Sequence, residues 1–384
     1  MVFQIDGASD RNKGAQLMMH AVLQEIAKRH PNSIVYINSE DTDLSMIIGK
    51  YPMTIKKRQS NFFRKLIAQT RIADVAFKIY KPLSWIFSLR VPTRGVDVLI
   101  NIGGFQFGDQ WKHNSNKNGS WKWYLSTMKS YGTKIIFMPQ AFGPFENKYS
   151  KEMVKILDEN VDILIAREEV SYEYIKSVGL SKSKLLLYPD FTGLVKEEDS
   201  KMADSIENEV CIIPNYQMIL QNSKNEDEYL TEITKLINYV RKKGVNVFML
   251  NHEGTLDQIL CEKINNKLES KIKILASENA LITKGIIKKA YFVISSRFHG
   301  VANSLNSGVP CLATSWSHKY KMLLSDFGVS DYVIDYHLCD DTKNKIDSLL
   351  NKSTNKKVRN LLTDSKQHID IKCNEMWNYI WNFL

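Results

Sequence analysis

YFVISSRFHG (residues 291–300), continued by VANSLNSG and then VPCLATSW (309–316), decides how the chain is read. An apolar run of strand length ends in a polar turn. A stretch of small residues suited to a packed helix follows, and a second apolar run closes the unit. Both runs are rich in Val, Ile and Leu on either face, which suits strands buried inside a parallel sheet better than half-exposed antiparallel ones. Strand, helix and strand in this order make a βαβ unit, so the expectation is an α/β fold.

Working outward, the same pattern repeats. VCIIPN (210–215), VNVFMLNHE (245–253) and IKILAS (272–277) precede the opening stretch. Further back stand VFQID (2–6), SIVYIN (33–38), VDVLINIGG (96–104), KIIFMPQAFGP (134–144), VDILIAREE (161–169) and KLLLYPD (184–190). The charged stretch KEEDSKMADSIENE (196–209) reads as a linker between the two series. The chain of 384 residues is long enough for two domains of ordinary size. The expectation is two Rossmann-like domains with parallel sheets, residues 1–200 and 201–384, and a cleft between them.

Composition removes several function classes. Five scattered cysteines without a CxxC pair argue against a disulfide framework or a structural zinc site. The start, MVFQIDGASD, lacks a basic n-region and a long apolar run, and no stretch reaches the roughly 20 apolar residues that span a bilayer. A cytoplasmic protein is expected. Between Lys50 and Arg94 eleven basic residues face one acid, Asp74, so the entire net charge of +10 sits there and the remainder is balanced. A uniformly basic nucleic-acid binder is thereby disfavoured. Within the segment, apolar residues at 62, 66, 73, 76, 77 and 80 share one helical face, which suits either an anionic membrane surface or an ordinary helix with solvated lysines. The aromatic tail MWNYIWNFL reads as a docked terminal helix.

Ligands of open α/β sheets sit beyond the carboxyl ends of the strands. That rule selects Asp6 to Lys13, Gly103 to Asp109, Gln140 to Pro144, Arg167 to Glu169, Asp190, His252 with Glu253, Arg297 to Gly300, and the stretch to Lys319. Arg297 and His299 bring a guanidinium and an imidazole to a helix amino terminus, where N–H groups and the macrodipole favour an anion. The alternative is an ordinary ion pair for Arg297 and a helix cap for His299. Arg167 can grip a carboxylate or phosphate with its planar fork, or pair with Glu168 or Glu169. Gly103 and Gly104 admit backbone to a ligand or mark a tight turn, with Asp109 following as a candidate base. Gln140, inside PQAFGPF, is held by rigid turns and is read mainly as structural. Asn12, Lys13 and His252, with Gly103, Gly104 and Gln140, complete the set as ligand-contact or loop candidates. There is no P-loop and no complete GxGxxG, and no metal or bound cofactor is expected.

Taken in order, NKGAQLM (12–18), IGG with Asp109, PQAFGPF (139–145), AREEVS (166–171), YPD (188–190), SRFHG (296–300) and HKYKMLLSDFGV (318–329) resemble the polysaccharide pyruvyltransferase family, over residues 1 to about 335. The resemblance implies a GT-B-like fold and phosphoenolpyruvate as co-substrate. The product would be a pyruvate ketal across two hydroxyls of a sugar in a surface polysaccharide or its lipid-linked precursor. Carried over, Arg167, Arg297 and His299 hold and protonate the donor, with Ser296 and Gly300 in the same turn. Lys319 matches a family lysine before an LL pair, and Asp109 falls near an acidic position, which makes it the candidate base. The first loop, DGASDRNKGA, departs from the glycine-rich form ending in GD that many members carry. Two other readings stay open: a GT-B glycosyltransferase using a nucleotide sugar, and a non-catalytic protein of a polysaccharide-assembly complex. Oligomeric state is not legible.

Overall fold

The computed structural model describes residues 1–10, 12–39, 42–58, 92–220, 225–314 and 318–384. The amphipathic stretch of the basic segment falls within 59–91, outside the described residues. The chain divides into two units. Met1–Asp10, Met18–Phe191 and Cys373–Leu384 make the first, residues 12–17 with Thr192–Lys372 the second.

In the first unit the strands β1 (Val2–Asp6), β2 (Ile34–Asn38), β3 (Thr54–Lys57), β4 (Val98–Asn101), β6 (Lys134–Phe142), β7 (Ile163–Ala166) and β8 (Lys184–Leu187) lie in the order β3-β2-β1-β4-β6-β7-β8, with β5 (Phe105–Phe107) pairing the end of β6. The pairs in this sheet are parallel. Every residue of β4 and of β7 is buried, which is why these runs show no apolar–polar alternation. Register sets Asp6 opposite both Asn38 and Asn101, so three polar residues line one row at the carboxyl edge.

The crossovers follow local signals. Helix α1 (Lys13–Arg29) joins β1 to β2, α2 (Ser115–Ser130) precedes β6, α3 (Lys148–Asn160) follows it, and α4 (Glu169–Val178) leads to β8. Asn114 and Asn147 start α2 and α3 by accepting from the N–H groups of Lys117 (3.0 Å) and Ser150 (2.9 Å). Phe107, Tyr124, Phe137 and Leu157 are fully buried between sheet and helices, each side chain contributing about 1.5–3 kcal/mol by leaving water.

The second unit carries β9 (Val210–Ile213), β10 (Val247–Asn251), β11 (Lys273–Ala276), β12 (Val293–Ser295), β13 (Cys311–Thr314) and β14 (Val333–Ile334), again parallel, in the order β11-β10-β9-β12-β13-β14. Its helices are α5 (Lys201–Asp204), α6 (Glu226–Lys242), α7 (Gly254–Lys267), α8 (Ala280–Lys289), α9 (Phe298–Asn306), α10 (His318–Asp326), α11 (Asp340–Leu350) and α12 (Lys352–Phe383). Residues 196–209 are not the open linker that their charge suggests. Glu198 bonds α8 twice, through its N–H to Leu281 O (3.2 Å) and its carboxylate from Asn279 (2.8 Å). Just upstream, the buried Lys284 ammonium donates to the carbonyls of Val195 (2.5 Å) and Thr192 (3.3 Å).

The end of α12 belongs to the first unit. There Cys373, Met376, Trp377 and Ile380 are buried, and Trp377 meets the Phe191 ring edge-on at 6.0 Å. The aromatic tail is therefore a packed helix end. Among the described residues no helix is long and apolar enough to cross a membrane.

Candidate functional site

The strand order of the second sheet reverses beside β9: β10 and β11 lie on one side of it, β12 to β14 on the other. Such a switch point opens a crevice at the carboxyl edge of a sheet. The residues that follow β10 and β12 at this edge are His252–Asp257 and Ser296–Gly300.

After β10 the chain turns at once into α7, and Gly254 makes the turn at a φ of +70°, where a side chain would be strained. Glu253 precedes α7 but does not cap it. Its carboxylate instead accepts from Arg297 Nη1 at 2.6 Å and from Asn12 Nδ2 at 3.0 Å. One turn into the helix, the fully buried Asp257 accepts a fork from Arg297 Nε and Nη2, both at 2.7 Å, and also holds the Tyr216 N–H at 3.1 Å. The ion-pair reading of Arg297 is thus realised. Among the described residues three of its five N–H donors are taken, which leaves one on each of Nη1 and Nη2 for a ligand.

Asp257 has no place in the sequence reading. The signal that finds it is two acids spaced i and i+4 across a helix start, which sets both on one face.

His299, in the first turn of α9, has its ring against the backbone of Gly14. A Cβ on Gly14 would stand 2.0 Å from His299 Cε1 and 2.1 Å from Nε2. The glycine is there because the imidazole fills the space. Asn12 caps α1 through its Oδ1 (Ala15 N, 3.0 Å), while its amide nitrogen holds Glu253. Lys13 is buried and donates to Glu278 O at 2.6 Å, with the Glu278 carboxylate 3.7 Å away. Asn12 and Lys13 therefore serve the protein's own groups.

Two residues of the SRFHG turn change role. Ser296 is buried, its hydroxyl shared with Thr314 (2.5 Å) and Tyr229 (3.2 Å) and its carbonyl with Asn215 and Tyr320 (both 2.9 Å), so it packs the strand end and does not face a donor. Burial pushes the Tyr229 phenol up to about 12, which keeps it a hydrogen-bonding group and no proton source. A side chain on Gly300 would meet Ser295 Oγ at 2.5 Å, so this glycine lets α9 close on β12. Lys319 lies in α10, with its side chain outside the described residues.

The electrostatics single out two groups. Burial, helped by the nearby Asp257 charge, raises the Glu253 carboxyl above the ordinary range against the pull of Arg297 and Lys13. His252 is buried, both ring nitrogens lack a hydrogen-bond partner, and desolvation together with His299, Arg297 and Lys13 holds it well below the usual imidazole range. His252 is neutral and sealed, so contact with a sugar is not what the structure gives it. Burial works to lower the Arg297 guanidinium, but Asp257 and Glu253 outweigh it and hold the cation firmly charged.

Candidates of the first unit separate in the same way. Asp109 accepts from Ser150 Oγ (2.5 Å), from the N–H groups of Glu146 (2.8 Å) and Asn147 (3.4 Å), and from the Asn147 side chain. Burial would raise its carboxyl, yet these donors hold it below the ordinary range. A carboxylate so committed fixes the turn into α3, which removes it as a candidate base. Arg167 pairs with Glu168 (3.3 Å) and lies 3.7 Å from the Asp190 carboxylate. Gly103 stays small because a Cβ would strike the Gln106 side chain at 2.0 Å, and Gly104 sits at a φ of +64°. The Gln140 amide is fully buried with neither polar atom hydrogen-bonded. Asp6 is gripped by Gln4, Asn38 and Tyr124 at 2.7–2.9 Å. Among the described residues no group of three or more His, Cys, Asp or Glu is placed to hold a metal ion.

The fold is shared with sugar-nucleotide enzymes of GT-B-like architecture. S. aureus MnaA with UDP superposes with a TM-score of 0.60 at 11% identity, covering 100% of this chain and 96% of that one. The UDP-GlcNAc 2-epimerase of Neisseria meningitidis gives 0.61 at 9%, covering 99% of each. Anabaena Alr3699/HepE with UDP-glucose gives 0.58 at 10%, covering 100% and 99%. At such identities the likeness concerns the fold alone. In sequence, the amylovoran biosynthesis protein AmsJ of Erwinia amylovora is 20% identical over 81% of this chain and 79% of its own length. The family model for polysaccharide pyruvyl transferase matches residues 12–318, from the Asn12 cap to the start of α10, and the chain belongs to that family.

Proposed function

We propose that this protein transfers pyruvate from phosphoenolpyruvate to a pair of hydroxyls on a sugar of a surface polysaccharide or its precursor, forming a ketal. The observation that carries the reading is the Arg297 turn: within the family-matched span, a half-buried, firmly charged guanidinium keeps, among the described residues, two N–H donors beside His299 at a sheet switch point.

Phosphoenolpyruvate presents a phosphate and a carboxylate. The spare donors on Nη1 and Nη2 suit one anionic group, and the amino terminus of α9 adds its dipole. His299 protonates the methylene carbon, which makes the central carbon electrophilic. The ring is already braced against Gly14, so little reorganisation accompanies the step. Arg167 and Lys319 remain donor-side candidates by family resemblance. The acceptor is a lipid-linked or polymeric glycan, and the basic segment 50–94 is the part of the chain suited to an anionic membrane surface on the cytoplasmic side. No metal enters the scheme, so a chelator should leave the rate unchanged.

The test is phosphate release from phosphoenolpyruvate on adding candidate oligosaccharides, with mass spectrometry of the glycan for added pyruvate. Turnover of a nucleotide sugar, with phosphoenolpyruvate ignored, would replace this reading by the glycosyltransferase one. AmsJ, named for amylovoran biosynthesis, supports the choice of amylovoran fragments as first acceptors.

A further inference from the structure

With Asp109 tied to a turn, the proposed reaction lacks a group for the acceptor hydroxyl. We infer that Glu253 is the proton carrier of that half-reaction, taking the proton of the first attacking hydroxyl and handing it to the bridging oxygen of the departing phosphate. This rests on the pyruvyl-transfer reading.

Three observations converge on Glu253. Its carboxylate turns away from the N–H groups of its own helix and is held by one donor on each oxygen, Arg297 Nη1 and Asn12 Nδ2, which fixes its aim and leaves a lone pair on each oxygen. It keeps 22% of its side chain exposed, whereas its neighbour Asp257, fully sealed, spends both oxygens on the Arg297 fork. Beside it in the chain stands His252, buried with both ring nitrogens unpartnered, so the wall behind Glu253 holds polar capacity that no protein group uses. The charged groups around the carboxyl are Arg297, Asp257 and Lys13, with Arg297 and Lys13 shared by His252 and His299 lying beyond. Their balance leaves the carboxyl with more proton affinity than a free glutamate, which suits a carrier that must both accept and return a proton.

The protons balance. His299 gives one to the methylene carbon, which becomes the methyl group. The first hydroxyl oxygen bonds to the central carbon and its proton passes to Glu253. The carbon–phosphate oxygen bond then breaks with its electron pair, and phosphate leaves carrying the Glu253 proton. The second hydroxyl closes the ketal and its proton restores His299. Overall, a diol and phosphoenolpyruvate give ketal and hydrogen phosphate.

The experiment compares Glu253→Gln with the unsubstituted protein by calorimetric titration of phosphoenolpyruvate and by phosphate release with acceptor. The expected result is donor affinity within about threefold and kcat lower by about 10²–10⁴. The acid limb of the kcat/KM profile, which lies above the ordinary carboxylate range, should vanish in the variant. In Glu253→Ala, added formate should restore part of the rate, a response that a merely structural role does not give. Glu253→Gln turning over like the unsubstituted protein, a loss confined to donor affinity, or Glu253→Ala indifferent to formate would overturn the assignment. An unsubstituted protein that neither binds phosphoenolpyruvate nor releases phosphate takes down the underlying reading, and this one with it.

Discussion

Glu253 and Asp109 are both acids at the carboxyl edge of a parallel sheet, one in each unit, and their surroundings drive them in opposite directions. Asp109 collects N–H and O–H donors from the Glu146–Ser150 turn, which stabilise its charge. Glu253 is held by Arg297 and Asn12 but is more deeply buried, with a second carboxylate nearby, and its charge is penalised. Position at a strand end makes an acid a candidate. The number of donors against the depth of burial decides whether it ends as a fastener or as a proton-transfer group.

The largest expected effect lies on the Glu253 side. His299→Ala should lower kcat by about 10²–10⁴ with the fold intact, read as phosphate release alongside circular dichroism. Unchanged turnover would leave the second-unit cluster without an acid and break the contrast at its root.

Arg297→Ala asks what the cluster costs when its cation is removed. Asp257 has no access to water and spends both oxygens on Arg297. Losing the partner of a buried ion pair destabilises by about 3–5 kcal/mol, so a drop in thermal midpoint should accompany any loss of donor binding. A variant as stable as the parent would mean that the Arg297–Asp257 pair adds nothing to stability, against the geometry.

Gly14→Ala is subtler. The added methyl collides with the His299 ring, which must swing aside. Displacement of a reacting group by about 1 Å can cost 10²-fold, so kcat should fall by about 10–100-fold with donor affinity nearly kept. If kcat holds, the ring position seen against Gly14 is not the working one.

How much of this was legible differs between fold and site. Uninterrupted Val, Ile and Leu runs announce buried parallel strands, and eleven of the fourteen strands among the described residues are read from them. β3 escapes because Thr54–Lys57 is mostly exposed and carries lysines, and β5 and β14 are too short to show a pattern. At the site, the strand-end rule finds Arg297, His299, His252 and Glu253. It cannot show that Asn12 reaches a glutamate 241 positions away, or that Gly14 leaves room for an imidazole, because those pairings exist only once the chain has folded. The rule also picks Asp109, and the family resemblance adds Ser296, since a side chain committed to hydrogen bonds looks in sequence like one that is free to react.

The smallest effect tests the other half of the contrast. Asp109→Ala should leave kcat within about twofold and cost about 1.5 kcal/mol, the low end for hydrogen bonds to a charged acceptor because part of this turn meets water. The sign with pH is fixed by the depressed carboxyl. A group ionised more readily folded than unfolded contributes stability above its unfolded value, near 3.9 for aspartate, and loses it as pH falls through its lower folded value. The penalty of Asp109→Ala should therefore be full at neutral pH and shrink in acid below that range, measured by urea unfolding at both. A penalty that ignores pH would mean the turn does not depend on the charge. A kcat loss well beyond twofold would return Asp109 to the chemistry and remove the need for Glu253 as the carrier.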